Sequence, residues 1–235
     1  MRAAQIQRWP DTHRIVSSSM DPLLVLTIGQ APRLDIAREL ADVLGERPLE
    51  VRGALDGYDD ATIDALVPIN AADVLHTRLA SGRDAVISKR AVTERMADLI
   101  DDAGSRPTLV ACTGRFDGLP DRPNLLFPSV VLAGLVDAVL PHGHRLGVMV
   151  PLPEQIVPMA DSWRSPERPV TAVAVKPGED VASASAELRT AGVDLVVLDC
   201  FGYDTATLNS VRAVTGRPVL SAVRCAAHLA SELLG

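Results

Sequence analysis

Lysine, aromatic residues, cysteine and long apolar runs are all scarce in this sequence, and each scarcity excludes something. The three cysteines form no Cys-x-x-Cys pair and no cluster with histidine. That argues against a disulfide framework and against a structural zinc site, so no metal is expected. Aromatics make up 3% of the chain, and 30 acidic residues against 23 basic ones leave a net charge of -7. Nucleic-acid binding has neither its basic footprint nor its stacking platforms here, so no nucleic-acid partner is expected. No apolar run approaches the roughly 18 residues needed to cross a bilayer, so no membrane partner is expected either. Lys89 and Lys176 are the only lysines among the 23 basic residues, a skew that reflects GC-rich coding more than function. Phosphate-cradling glycine fingerprints and the Gly-x-Ser-x-Gly elbow are both missing, which removes support for nucleotide binding and for a serine hydrolase of that type.

What is present reads as a folded α/β protein of 235 residues, 47% hydrophobic and 23% charged, too apolar for intrinsic disorder. Residues 1–19 lack the apolar core of a secretory signal and are expected to be a flexible N-terminal tail, with Met20 a natural start. The expectation is a soluble, cytoplasmic protein.

From Pro22 onward, short apolar runs alternate with helical patterns. Leu23–Ile28 is a nearly continuous apolar strand of the kind buried on both faces, and Pro32 is placed to open a helix reaching Leu44. Further strands are expected near Leu49–Gly53, Thr108–Cys112, Leu146–Pro151, Val170–Val175, Val193–Asp199 and Pro218–Leu220. Val74–Leu79 and Asp84–Ser88 flank Ser81-Gly82-Arg83 as a hairpin, and Lys89–Ala103 reads as an amphipathic helix. Helices between the later strands complete a parallel sheet covered on both faces.

The two halves echo one another. Leu23–Ile28 runs into Gly29-Gln30-Ala31-Pro32-Arg33 much as Leu146–Val150 runs into Pro151-Leu152-Pro153, and a strand ending at Cys112 has a counterpart ending at Cys200. Two pseudo-symmetric lobes are therefore expected, each a mainly parallel sheet flanked by helices, with a ligand cleft between them. The expected division gives residues 20–130 and 219–235 to the first lobe and 131–218 to the second.

Strand-end thiols are the leading chemical candidates. In open α/β sheets the carboxyl ends of the strands line the binding crevice, so Cys112 and Cys200 are placed to act as a pair, one removing a proton and the other donating one. Buried cysteine is also a common inert hydrophobe, and Cys225, inside the last helix's apolar pattern, is read that way. Gly29 at a strand exit lets a ligand approach the backbone, Thr27 and Gln30 offer neutral hydrogen bonds, and Arg33 offers a planar fork for a carboxylate. Ser88-Lys89-Arg90 could face an anion, but a solvated helix start is the better reading of that cluster. The acidic pairs Asp59-Asp60 and Asp101-Asp102 are read as helix-end capping.

The stretches Leu26–Arg33, Ile87–Arg90, Cys112-Thr113-Gly114, Gly147–Pro151 and Leu198–Gly202, in that order, resemble the AroM family over essentially everything after Met20. AroM proteins are similar to the aspartate/glutamate/hydantoin racemase superfamily. That resemblance implies two pseudo-symmetric lobes, one cysteine from each, and cofactor-free proton transfer at a carbon next to a carbonyl. Relatives use a similar cleft for decarboxylation or for cis-trans isomerisation of small diacids. Cys112-Thr113 fits the first-lobe pattern, whereas Phe201-Gly202 follows Cys200 where amino-acid racemases carry Thr and then His or Glu.

The resulting expectation is a cofactor-independent isomerase or racemase acting on a small carboxylate. Cys112 and Cys200 are its catalytic residues, and Thr27, Gly29, Gln30, Arg33, Thr113, Gly114, Phe201 and Gly202 hold the substrate. A single-cysteine decarboxylase and a non-catalytic carboxylate sensor are the rival expectations, and a homodimer is the default assembly for such a fold.

Overall fold

The computed structural model describes residues 22–235, so the tail expected at 1–19 lies outside the described residues. Two four-stranded sheets, parallel throughout, carry the fold. The first runs in the order β2 (Leu49–Gly53), β1 (Leu23–Thr27), β5 (Thr108–Val110), β6 (Leu125–Leu126). The second runs β8 (Val170–Ala174), β7 (Leu146–Val150), β9 (Leu195–Leu198), β10 (Val219–Ser221). Written in that direction the two orders coincide, with β1 matching β7 and β5 matching β9. The sequence echo is thus an architectural repeat.

Period-two burial explains the continuous apolar strands. In β1, Leu23 and Val25 enter a core shared by both sheets, while Leu24 and Leu26 enter the outer core of the first lobe. In β9, Leu195 and Val197 enter the shared core, while Val196 and Leu198 enter the outer core of the second lobe. The shared core is closed by α1 (Leu34–Leu44), α4 (Pro128–Val139) and α8 (Ala222–Leu234), which bury Ile36, Leu40, Leu132, Val136, Val223 and Ala227 in it. Helices α5 (Ile156–Trp163), α6 (Ala182–Thr190) and α7 (Thr205–Thr215) flank the second sheet. Asp204 caps α7 by accepting the Thr207 N–H at 2.8 Å, and Gly216 closes it in the left-handed region.

Three details depart from the sequence reading. Helix α1 begins at Leu34, not Pro32, because Gly29–Arg33 forms a loop in which the Ala31 N–H is held by the Asp56 carboxylate at 2.8 Å. Strand β6 has only two residues between Pro123 and Pro128, too few to show an alternation. Residues 219–235 were expected with the first lobe; Val219–Ser221 pairs with β9 as an edge of the second sheet, and α8 then packs on α1 and α4.

One feature breaks the symmetry. Residues 54–88, between β2 and α3 (Lys89–Ala103), hold the short helix α2 (Asp60–Asp64), a 3₁₀ turn at Ala71–Asp73, and the antiparallel hairpin β3 (Val74–Arg78) and β4 (Asp84–Ser88). The corresponding connection in the second lobe is only residues 175–181. Hydrogen bonds dock the hairpin on both lobes. Ala80 N–H donates to Gln30 Oε1 at 3.3 Å, Gln155 Nε2 to the Val74 carbonyl at 3.1 Å, and Arg78 Nη2 to the Pro177 carbonyl at 3.5 Å.

Gly29 is required by this docking. A Cβ there would overlap the Thr77 hydroxyl and stand 3.0 Å from the Arg78 carbonyl oxygen. Gly29→Ala should therefore displace the hairpin and cost about 1–3 kcal/mol, read as a lower unfolding temperature.

Candidate functional site

The carboxyl ends of β1, β5, β7 and β9 meet beneath the hairpin at a cavity of about 260 Å³. Both strand-end thiols line it, which no sequence spacing could establish. Cys112 is 8% exposed and belongs to the first lobe's outer core, while Cys200, half-buried, packs against that of the second. Their surroundings are near copies. The Gly114 N–H donates to Cys112 Sγ at 3.2 Å, and the Gly202 N–H donates to Cys200 Sγ at 3.4 Å. Side chains at these glycines would crowd Leu75 and Phe116 in one lobe and Pro177 in the other.

Burial dominates the acidity of both thiols. It pushes Cys112 up to about 12 and Cys200 up to about 11, against the opposing pull of the Gly114 and Gly202 N–H groups. Cys200 and Asp199 raise Cys112 further while Lys89 lowers it; Asp199 raises Cys200 while Arg33 lowers it. Both sites thus hold thiols, not thiolates, at neutral pH.

Of the residues expected to hold substrate, Arg33, Thr113, Gly114, Phe201 and Gly202 line the cavity, whereas Thr27, Gly29 and Gln30 do not. Thr27 is fully buried, and its hydroxyl accepts the Gly29 N–H at 3.3 Å. Gln30 spends its amide on the Tyr58 carbonyl at 3.0 Å and the Ala80 N–H, fastening the loops behind the hairpin. Arg33 lines the cavity with its fork already used. Nε and Nη2 donate to the two carboxylate oxygens of Asp35 at 2.9 and 2.7 Å. Burial raises the Asp35 carboxyl, but the hydrogen bond and charge of Arg33 outweigh it and hold the group below its usual range. The expected bidentate grip of Arg33 on a ligand is therefore taken by a neighbour two residues along.

Several lining residues escaped the sequence reading. Lys89, expected in a solvated helix start, lines the cavity instead. It is the first residue of α3, set there by Ser88, whose hydroxyl accepts the Ala91 N–H at 3.2 Å and donates to Asp73 Oδ2 at 2.7 Å. His76 and Arg78 reach the cavity from β3, and Arg115 from the loop after Cys112. Their signal is tertiary, since a polar residue alternating along a hairpin reads as solvent-facing unless something covers that face. Burial holds the His76 imidazole below its ordinary range, the Asp84 carboxylate opposes, and Arg78, Lys176 and Arg33 push it lower still.

Asp199, directly before Cys200, is 6% exposed and lines the same cavity. Burial pushes its carboxyl up, and Trp163 pulls it back by donating from Nε1 to Oδ2 at 2.7 Å. Across the cleft, the Thr113 hydroxyl donates to the Asp199 carbonyl at 3.1 Å, joining the two cysteine loops. Trp163→Phe should leave a buried carboxyl without this donor and cost about 1–3 kcal/mol, measurable by denaturant unfolding.

Among the described residues, no helix is long and apolar enough to cross a membrane. Residues 23–234 match the family described as AroM protein. Among solved structures, a glycine-to-cysteine mutant of arylmalonate decarboxylase in a sulfate-associated form superposes with a TM-score of 0.54 at 15% identity, covering 91% of this chain and 94% of its own. Unliganded arylmalonate decarboxylase gives a TM-score of 0.51 at 14% identity, with 91% and 93% covered. The glutamate racemase RacE1 of Bacillus anthracis gives 0.53 at 15% identity, with 92% and 82% covered. At such low identity these likenesses establish the two-lobed fold. No curated protein sequence matches the chain.

Proposed function

The chain belongs to the AroM family, and from that premise we propose that it is a cofactor-independent isomerase or racemase acting on a small carboxylate. The observation that carries this reading is the pair of equivalent thiols, Cys112 and Cys200, each at the end of an equivalent strand, lining one cavity. One cysteine, as thiolate, takes the proton from the carbon next to the carboxylate, and the C–H electron pair passes into an enolate. The other thiol gives its proton to the opposite face, and the two cysteines end with their protonation states exchanged. Charge developing on the enolate oxygens needs N–H or O–H donors held in place beforehand, a role this reading assigns to the loops that follow Cys112 and Cys200.

The raised thiol pKa values favour a second reading. A thiol that stays protonated at neutral pH has its proton in place to give to a carbanion and is seldom available as a base, which suits a decarboxylase. There the C–C bond pair stays on the carbon as carbon dioxide leaves, and a single cysteine reprotonates it. Incubation with a panel of small carboxylates in deuterium oxide separates the two. Deuterium at the carbon next to a retained carboxylate supports proton transfer, whereas carbon dioxide release with one deuterium incorporated supports the lyase. Absence of both over a broad panel, with the same acids raising the unfolding temperature, would move the protein to the sensor class.

A further inference from the structure

The cavity is electrically lopsided. Its basic residues, Arg33, Arg78, Lys89 and Arg115, all come from the first lobe and its hairpin, while Val150, Pro151, Pro158, Met159 and Phe201 form an apolar wall from the second. Two of the four cations are already answered: Arg33 by Asp35 and Arg78 by Asp84, the latter pair at 2.9 Å. Among the described residues, Lys89, half-buried, and Arg115, at the exposed rim, make no ion pair and no side-chain hydrogen bond. Lys89 acts electrostatically on Cys112, and Arg115 on Asp199. His76 lines the cavity beside Arg78 on the same strand, its side chain 5% exposed. His76 Nε2 lies 3.7 Å from Asp84 Oδ1, too far for a hydrogen bond, and it has no other partner. A buried polar atom without a partner is costly, but Nε2 is sealed from the cavity, so it is not itself a ligand contact.

We infer that Lys89 and Arg115 are the anion anchor of this cavity, and that Arg33 is not. The ligand is then amphiphilic: its carboxylate faces the first lobe beside Cys112, and its apolar body lies against Pro158, Met159 and Phe201. The anchor deepens the carboxylate reading above and rests on it. Arg33 has its fork occupied by Asp35 instead. The N-terminus of α3 does not supply the anchor either, because the Asp73 carboxylate already accepts the Arg90 N–H at 2.8 Å and the Ser88 hydroxyl.

Competing alkylation reads this without any knowledge of the substrate. Iodoacetate and iodoacetamide form the same C–S bond with loss of iodide, but only the first carries a carboxylate. The ratio of their rates at Cys112, followed by peptide mass spectrometry at low ionic strength, therefore reports anion recruitment while cancelling any change in thiolate fraction. Relative to glutathione, the wild-type ratio should favour iodoacetate by about tenfold, the scale on which a focused field raises local anion concentration. Lys89→Gln combined with Arg115→Gln should return the ratio to that of glutathione, Lys89→Arg should keep it, and Arg90→Gln, next door but outside the cavity, should leave it unchanged. A wild-type ratio equal to that of glutathione overturns the anchor. So does loss of the preference in a variant carrying Arg33→Gln with Asp35→Asn, exchanged together so that no bare carboxylate remains. Deuterium exchange without an iodoacetate preference would remove the anchor and leave the proton-transfer reading standing; the preference without exchange would do the reverse.

Discussion

Cys112→Ala and Cys200→Ala should each lower deuterium exchange by about 10²- to 10⁴-fold, the usual contribution of a positioned acid or base. Both should unfold close to the wild-type temperature. Each thiol lines the cavity, so truncation removes one sulfur beside space that is already open and costs roughly 1 kcal/mol. The pair of variants is more informative than either alone. Loss in both supports two opposed groups; loss in one only, with carbon dioxide as product, supports a single proton donor. Near wild-type turnover in both variants would end the thiol mechanism, whatever substrate is found.

Alkaline pH should have the second large effect, and in opposite directions on rate and on stability. Because burial lifts Cys112 to about 12 and Cys200 to about 11, the basic thiolate is a minor form at neutrality. Its population grows about tenfold per pH unit until the lower of the two values is approached. The rate at limiting substrate should climb with that slope from pH 7 to 9. Stability should fall as pH continues upward. An unfolded cysteine ionises near its ordinary value of 9.0, while the folded thiols keep their protons, so between about 9 and 12 the native state binds more protons than the unfolded chain. The sign of the linkage then makes unfolding easier as pH rises, by about 1.4 kcal/mol per pH unit for each thiol at full slope. Denaturant titrations at pH 8.5 and 10.5 would show it, and replacing both cysteines by alanine should remove this part of the alkaline limb. A rate flat from pH 7 to 9 would mean that the proton is taken by a group other than a buried thiol.

The parallel sheets were legible because strands buried on both faces must be almost wholly apolar, and residues 23–26 and Leu195–Leu198 are apolar without a break. The thiols were legible for a related reason, since strand ends are where such folds bind ligands. Lys89 and His76 were not legible as site residues. Each occupies a position that local pattern assigns to solvent, a helix start and a hairpin's polar face, and only the fold of residues 54–88 over the strand ends turns them inward. Arg33 failed in the opposite sense. The sequence shows its fork, but Asp35 two residues on could as easily have been a solvated helix-start acid as the partner that occupies it. Thr27 ends β1, Gly29 and Gln30 lie in the loop that follows, and that loop's hydrogen bonds run away from the cavity to Tyr58, Asp56 and the hairpin.

The core shared by the two sheets bears on how a ligand enters. Leu23, Val25, Leu146, Val148, Leu195 and Val197 pack into one apolar body sealed by α1, α4 and α8, so spreading the lobes apart would expose all of it to water. A hinge of that kind is opposed by the same burial that holds the chain folded. The hairpin is the smaller body over the cavity, but it too is anchored by apolar burial, with Leu75, Leu79, Ala85 and Ile87 packed in the first lobe's outer core. Either route of entry therefore exposes apolar surface, and amide hydrogen exchange across residues 74–88, set against that of the two sheets, would show which of them opens at the lower cost.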